Sequence, residues 1–350
     1  MIPPHEFSGP DMLLSLLLVL CFAAGVGVSL AWQRLALALR WFDYPNARSS
    51  HTRPTPKGGG LGLALLLVAV LLLLRQQELI APSLLWLCLP GLGLALVGLL
   101  DDLRELGIRL RLCLQFMAVL AAFWMLGGVP LLPLPGGVQL QQPWLLLLAV
   151  PAWLWLINLY NFMDGIDGLA ASEGVFVALA LAWFAERAGL HDAGVLLLVL
   201  AVLLGAFLCF NWSPAQLFMG DAGSNFLGYL LVAGALWLAQ EAAITPWTLL
   251  ILLACFVVDS TLTLVKRMCS GAVWYHGHRS HAYQVMARSH GSHARVVVAV
   301  MLLNVCWLLP LAVLSVQWPE WGAVLWLAAC LPLLVLVHRC QLKHLGPRLP

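Results

Sequence analysis

The segment LGLALLLVAVLLLL at 61–74 is one of eleven apolar runs spread along the chain. A hydrocarbon core about 30 Å thick takes about 20 helical residues to cross, and runs of this kind read as membrane spans. The expected spans are 12–33, 59–74, 82–100, 110–127, 144–157, 169–186, 194–210, 225–240, 246–265, 296–316 and 320–337. Only 10% of the residues are charged and the mean hydropathy is +0.93, where a soluble domain carries about 25% charge. The sequence therefore predicts an all-α, polytopic integral membrane bundle of about 11 transmembrane helices, one membrane domain over residues 1–350. No Lys or Arg precedes the first run, so it reads as a retained span rather than a cleaved signal. The nine cysteines stand singly, without C-x-x-C, and read as small apolar packing residues.

Basic residues set the expected orientation. With the N-terminus periplasmic and the C-terminus cytoplasmic, every Lys and Arg except Arg75 and Arg187 falls on the inner side. The segments then facing the cytoplasm are 43–60, 99–109, 158–168, 211–225 and 266–295. They gather Asp101, Asp102, Asp164, Asp167 and Asp221, whereas acids on the other side are isolated.

Asp101 and Asp102 close the third span. Two carboxylates at a helix C-terminus oppose its partial negative charge, and at a membrane boundary they also cost desolvation. A divalent cation would offset this, as would Arg104 or Arg109. The run NLYNFMDGIDGLA (158–170) places Asn158, Asn161, Asp164 and Asp167 together, with Gly165 able to let a ligand approach the backbone. Asp167 could instead cap the sixth helix, and Asp221, in FMGDAGSN, could cap the eighth. His276, His278, Arg279 and His281 form a basic cluster in WYHGHRSHAYQ. Zinc is one reading, but His276 and His278 are too close for one helical face and no Cys assists. Holding phosphate oxygens fits the donor set better. His290 and His293 receive no role. Carboxylates for Mg²⁺ beside donors for phosphate are the equipment of phosphoryl transfer at a membrane surface.

These motifs carry a family resemblance. DD after the third span, N-x-x-N-F-x-D-G-x-D-G-L-A, F-M-G-D-A-G-S and H-x-H-R-S-H-x-Y-Q occur in that order. The chain resembles the polyprenyl-phosphate N-acetylhexosamine-1-phosphate transferases, relatives of the phospho-N-acetylmuramoyl-pentapeptide transferase of peptidoglycan synthesis. The resemblance implies transfer of a sugar 1-phosphate from a UDP-sugar to undecaprenyl phosphate with release of UMP. It further implies Mg²⁺, with Mn²⁺ as the alternative ion, held by Asp102 and Asp221. Asp101, Asp102 and Asp221 become the catalytic carboxylates. Lys57, in PTPKGGG, touches phosphate; Asn158, Asn161, Asp164, Gly165 and Asp167 bind the nucleotide; and Phe218 stacks on uracil. His276, His278, Arg279 and His281 face the pyrophosphate or sugar. The peptidoglycan branch carries a His-His-His run, which this chain lacks. That departure places it nearer the O-antigen-type enzymes, with N-acetylglucosamine or a 6-deoxy sugar such as N-acetylfucosamine or N-acetylquinovosamine as the donor sugar.

A phosphate monoester has its second pKa near about 6, so the acceptor is already mostly ionised at neutral pH. Direct attack is preferred, with Asp101 orienting or deprotonating the acceptor; an aspartyl-phosphate route is the alternative. No nucleic acid is expected as a partner, and a homodimer is a candidate assembly. A polytopic transporter is the rival function, but its polar residues should gather near the bilayer midplane. Here the motif residues gather at one face; Asp259, inside the span 246–265, departs from that, and its role stays open.

Overall fold

The computed structural model describes residues 9–46, 49–140, 143–271 and 278–345. His276 of the histidine cluster lies outside them. Among the described residues, ten helices are long and apolar enough to cross a membrane, and a bent pair can supply an eleventh span. In chain order they are α1 (Gly9–Leu39), α2 (Gly59–Gln76), α3 (Pro82–Arg104), α4 (Ile108–Met125), α5 (Trp144–Met163), α6 (Leu169–Arg187), α7 (His191–Asn211) and α8 (Gly220–Gln240). The bent pair α9 (Pro246–Leu252) and α10 (Ala254–Cys269) follows. Beyond it lie the short α11 (Ala282–His290), then α12 (His293–Leu303), α13 (Leu309–Gln317) and α14 (Gly322–Leu345). The chain is an all-α, multi-pass membrane protein.

Two differences from the sequence reading matter. The expected single span at 246–265 bends by 75° at Leu253, whose φ of −91° and ψ of 9° leave the helical region. The fifth helix runs on to Met163, so Asn158 and Asn161 are helical, one turn apart on one face. Their polarity suggested a loop, but both find partners inside the bundle.

Burial grades from lipid-facing to central helices. The most apolar window of α8 is 83% buried and that of α6 is 78%, against 17% for α1 and 28% for α4. An apolar helix that is buried all round is a core helix. One rim carries the exposed Trp124, Trp144, Trp318 and Trp321 at the ends of α4, α5 and α13–α14, as an aromatic belt at a membrane interface does. The opposite rim collects the ends of α3, α5 and α7 with the starts of α2, α4, α6, α8 and α12.

At that second rim a two-stranded hairpin forms. β1 (Phe42–Asp43) pairs antiparallel with β2 (Thr55–Pro56). The stretch before α8 docks alongside it: Phe218 N donates to Pro56 O at 2.8 Å, and Gly59 N to Phe218 O at 3.0 Å. The first loop and the FMGD segment are thus one backbone-bonded unit.

Candidate active site

A cleft of about 350 Å³ opens on this rim, and most of its wall comes from four chain segments, with Gln284 and His293 added from α11 and α12. The hairpin loop gives Asp43, His51 and Lys57; α3 gives Asp102; the α5–α6 turn gives Asn161 and 164–167; and the 211–221 stretch gives Asn211, Phe218 and Asp221. Glycines let these segments meet. Gly220 takes φ +73°, and a Cβ there would lie 2.6 Å from Asp102 Oδ2. Gly60 and Gly223 bring α2 and α8 into backbone contact, since a Cβ on Gly60 would sit 2.2 Å from the Gly223 Cα.

The two aspartates of the DD pair diverge. Asp102 faces the cleft. Its Oδ1 accepts from Lys57 Nζ at 3.1 Å and its Oδ2 from Asp221 N at 3.0 Å. Asp101 does not line the cleft; it pairs with Arg111 and accepts from Leu106 N at 2.7 Å, with its carboxyl beside that of Asp221. Arg111 is also 3.7 Å from Asp221. The cations that offset the pair are therefore Lys57 and Arg111, while Arg104 and Arg109 are exposed. The helix start explains this, because α4 begins at Ile108 and its first turn swings Arg111 towards α3.

Asp221 sits in the first turn of α8, where a carboxylate suits the helix dipole. Asn161 Nδ2 donates to its Oδ1 at 2.9 Å and to Ser224 Oγ at 2.9 Å. Asn158, one turn back, does not line the cleft. It joins a chain of amides under the site: Asn158 to Gln115 at 2.8 Å, Gln115 to Asn225 at 3.3 Å, and Asn225 to the Asp221 carbonyl at 2.8 Å. Gln115 and Asn225 were missed in the sequence reading. Gln115 had a signal, as a polar side chain inside an apolar helix.

Asp164 caps the end of α5 and lines the cleft. No described residue donates a hydrogen bond to its carboxylate. Its pKa is raised well above the usual range by removal from water, then by the charges of Asp221, Asp102 and Asp167. Asp167 behaves oppositely. Burial would raise it, but His293 and the Ala215 N–H hold it below the usual carboxylate range. Asn211 ties this turn to the next segment, accepting from Gly168 N at 3.1 Å and donating to Leu217 O at 3.0 Å. Phe218, with His51 edge-on at 5.0 Å, forms an aromatic end to the cleft.

Among the described residues no group of three or more His, Cys, Asp or Glu encloses a metal by itself. A hard cation that keeps water and substrate oxygens needs only one or two carboxylates. Asp164, Asp102 and Asp221 offer oxygen donors, and a cation among them would offset the crowding that now disfavours the ionised form of Asp164.

The described part of the histidine cluster does not line the cleft. His278 stacks on His281 at 4.8 Å, and His281 on Tyr283 at 5.6 Å. Burial, then the charges of His281 and Arg267, push His278 down to about 3, so it is neutral at physiological pH. The Arg279 side chain is exposed. The cleft is lined instead by Gln284 and His293, from the elements that follow.

The chain can be placed among known proteins. A family model described as glycosyl transferase family 4 matches residues 84–239. The decaprenyl-phosphate N-acetylglucosaminephosphotransferase of Mycobacterium leprae (strain TN) is 30% identical over 316 residues, covering 80% of this chain and 77% of that protein. The phospho-N-acetylmuramoyl-pentapeptide-transferase of Desulforudis audaxviator (strain MP104C) is 34% identical over 209 residues, 53% and 59% of the two chains. The chain belongs to the polyprenyl-phosphate sugar-1-phosphate transferase family. It is accordingly a membrane-bound phosphotransferase.

In this transferase Asp259 has a clear structural position. Its Oδ1 accepts from Ala282 N at 2.9 Å and Thr263 Oγ1 at 3.1 Å, and its Oδ2 from Tyr283 N at 3.0 Å. The carboxylate caps α11 from inside the bent helix, with His281 Nδ1 a further 3.5 Å away. Tyr283 Oη in turn donates to Phe162 O at 2.8 Å, beside Gly165, where an added Cβ would meet that oxygen at 2.1 Å. Asp259→Ala strands two backbone donors and should destabilise the fold by about 3 kcal/mol or more. Asp259→Asn, keeping one oxygen, should lose less. Thermal unfolding in detergent measures both; an Ala variant as stable as the parent would refute the capping role.

Proposed function

We propose that this transferase moves an N-acetylhexosamine 1-phosphate from its UDP-sugar to undecaprenyl phosphate, releasing UMP, at the cytoplasmic face of the bacterial inner membrane. The observation that carries the reading is the cleft itself: an aromatic end, a lysine and an acidic wall converge from four segments at one rim of a membrane bundle. The orientation rests on the Lys and Arg residues, nearly all of which fall on that rim.

In this reading Phe218 stacks the uracil, and Asn211 and Asp167 border it. Lys57, already bonded to Asp102, lies where the diphosphate charge would fall. Asp221, Asp102 and Asp164 would hold Mg²⁺, or Mn²⁺ in its place. When bound, the ion supplies charge neutralisation on the diphosphate and the departing UMP. The acceptor phosphate oxygen attacks the sugar-bearing phosphorus in line; that P–O bond forms as the bond to UMP breaks. Because the acceptor is largely ionised, no side chain has to remove a proton. Asp101 then acts by holding Arg111 against Asp221 rather than by touching the acceptor.

The polyprenyl chain would lie in an apolar cavity of about 270 Å³ between α10, α11, α12 and α14. Tyr283, in its wall, also abuts Gly165 of the cleft, so one side chain separates tail and head positions. The bent α9–α10 pair is a feature that transporters share, but its carboxylate is committed to α11.

The donor sugar is read as N-acetylglucosamine or a 6-deoxy N-acetylhexosamine, because the motif carries Arg279 and lacks the triple histidine. Purified protein given undecaprenyl phosphate and a panel of UDP-sugars should release UMP with one of these, stop on chelation and recover with Mg²⁺. No UMP from any donor, or release unaffected by chelator, would count against the reading.

A further inference from the structure

His293 opens α12 and received no role from sequence. Its position is defined by Ser292, whose hydroxyl accepts from Arg295 N at 3.3 Å and caps the helix. The ring lines the cleft and reaches the α5–α6 turn. Its Nδ1 is 3.2 Å from Asp167 Oδ2 and 3.3 Å from Asp167 N. One ring nitrogen either donates or accepts, so both contacts cannot hold together. A bond to an ionised carboxylate is roughly twice as strong as a neutral one. The hydrogen therefore sits on Nδ1 and is given to Asp167. Ala215 N donates to the same carboxylate oxygen at 3.2 Å.

Donors from separate segments, His293 on one side and Ala215 N with the Ser213 hydroxyl on the other, thus keep Asp167 ionised and fixed at the edge of the cleft. The Asn211 bonds lock that edge to the stretch leading into Phe218, so carboxylate and aromatic face belong to one frame. Uracil offers an N3–H between two carbonyls. Cytosine offers a bare N3 lone pair in the same place, which a carboxylate repels. An oriented, ionised carboxylate beside an aromatic platform distinguishes the two bases.

We propose that His293 is a positioning residue for base selection: its Nδ1–H holds the Asp167 carboxylate in the orientation that accepts uracil N3–H. This rests on the reading of the cleft as a UDP-sugar site.

The test is equilibrium binding of UDP and CDP to the full-length protein, alongside UMP release. His293→Ala should weaken UDP about tenfold, the effect of one lost charge-assisted hydrogen bond. CDP binding and the KM for polyprenyl phosphate should stay unchanged, so that the UDP-over-CDP preference narrows. His293→Asn places an N–H near the Nδ1 position and should restore the preference; His293→Gln reaches too far and should not. Melting temperatures of all three variants accompany the binding data, and if the Ala variant misfolds, the Asn–Gln contrast decides. An unchanged preference in His293→Ala, equal losses for both nucleotides, or rescue by Gln as good as by Asn would overturn the proposal. Parent protein that binds UDP no better than CDP would overturn the UDP-sugar reading itself, a separate outcome read before any variant.

Discussion

An Asp221→Asn variant is expected to fold normally and to lose UMP release by a thousandfold or so. Loss of a metal ligand's outer-shell partner costs about 10–100-fold. Removing one donor that stabilises transition-state charge costs about 10²–10³-fold. Asp221 is proposed as a direct ligand, so its effect should reach the upper end or beyond. The fold should survive because asparagine keeps an oxygen for the Asn161 amide, which holds Oδ1 at 2.9 Å. The weaker 3.7 Å contact with Arg111 is lost, but at a side chain one-third exposed it contributes little. Raising Mg²⁺ should not restore the variant. Asp101→Asn should fall only about tenfold, since it loosens Arg111 beside Asp221 but does not itself line the cleft, the size expected of a residue acting through another. A continuous UMP assay with melting curves in detergent measures all of this. An Asp221→Asn enzyme near parental turnover, or an Asp101→Asn enzyme as damaged as it, would remove Asp221 from the metal and return Asp101 to the reacting atoms.

The apolar pattern made the bundle legible. Span after span begins or ends within a few residues of its predicted limit, because hydrophobic length in lipid is fixed by bilayer thickness. The exceptions are where polar side chains are buried by other helices. Asn158 and Asn161 argued for a loop after residue 157, yet α5 continues because Gln115, Asp221 and Ser224 receive them. The bend at Leu253 left no mark that hydropathy could register. Within the site, the clustering of Asp102, Asp164, Asp167, Asp221, Lys57 and Phe218 around one cleft was readable from motif order. What motif order could not supply was direction: adjacent aspartates take different partners, and His278 and His281, expected to face the pyrophosphate or sugar, are not among the residues that line the cleft. His293 went unread because its importance comes from Asp167, 126 residues away in sequence.

The glycines make the sharpest demand on the geometry. Gly98 lies on α3 where it crosses the start of α8, and a Cβ there would stand 2.4 Å from both the carbonyl carbon and the oxygen of Asp221, and 2.5 Å from Ala222 N. These are backbone atoms, so no rotamer change relieves the clash. Ordinary contact begins near 3.4 Å, so Gly98→Ala must push the two helices apart by about 1 Å, at an overpacking cost of about 1–3 kcal/mol. The displaced atoms belong to Asp221 itself, whose N–H is bonded to Asp102 at 3.0 Å. A misplacement of about 1 Å in a reacting site costs on the order of a hundredfold. Gly98→Ala should therefore lower UMP release about a hundredfold, with a smaller loss of melting temperature. Gly93, on the same helix, meets nothing within 4 Å and faces outward. Gly93→Ala should leave activity intact and add up to about 1 kcal/mol of helix stability. Equal activity in the two variants would mean that α3 and α8 are not held at this distance, and the convergence of Asp102 with Asp221 would lose its structural basis.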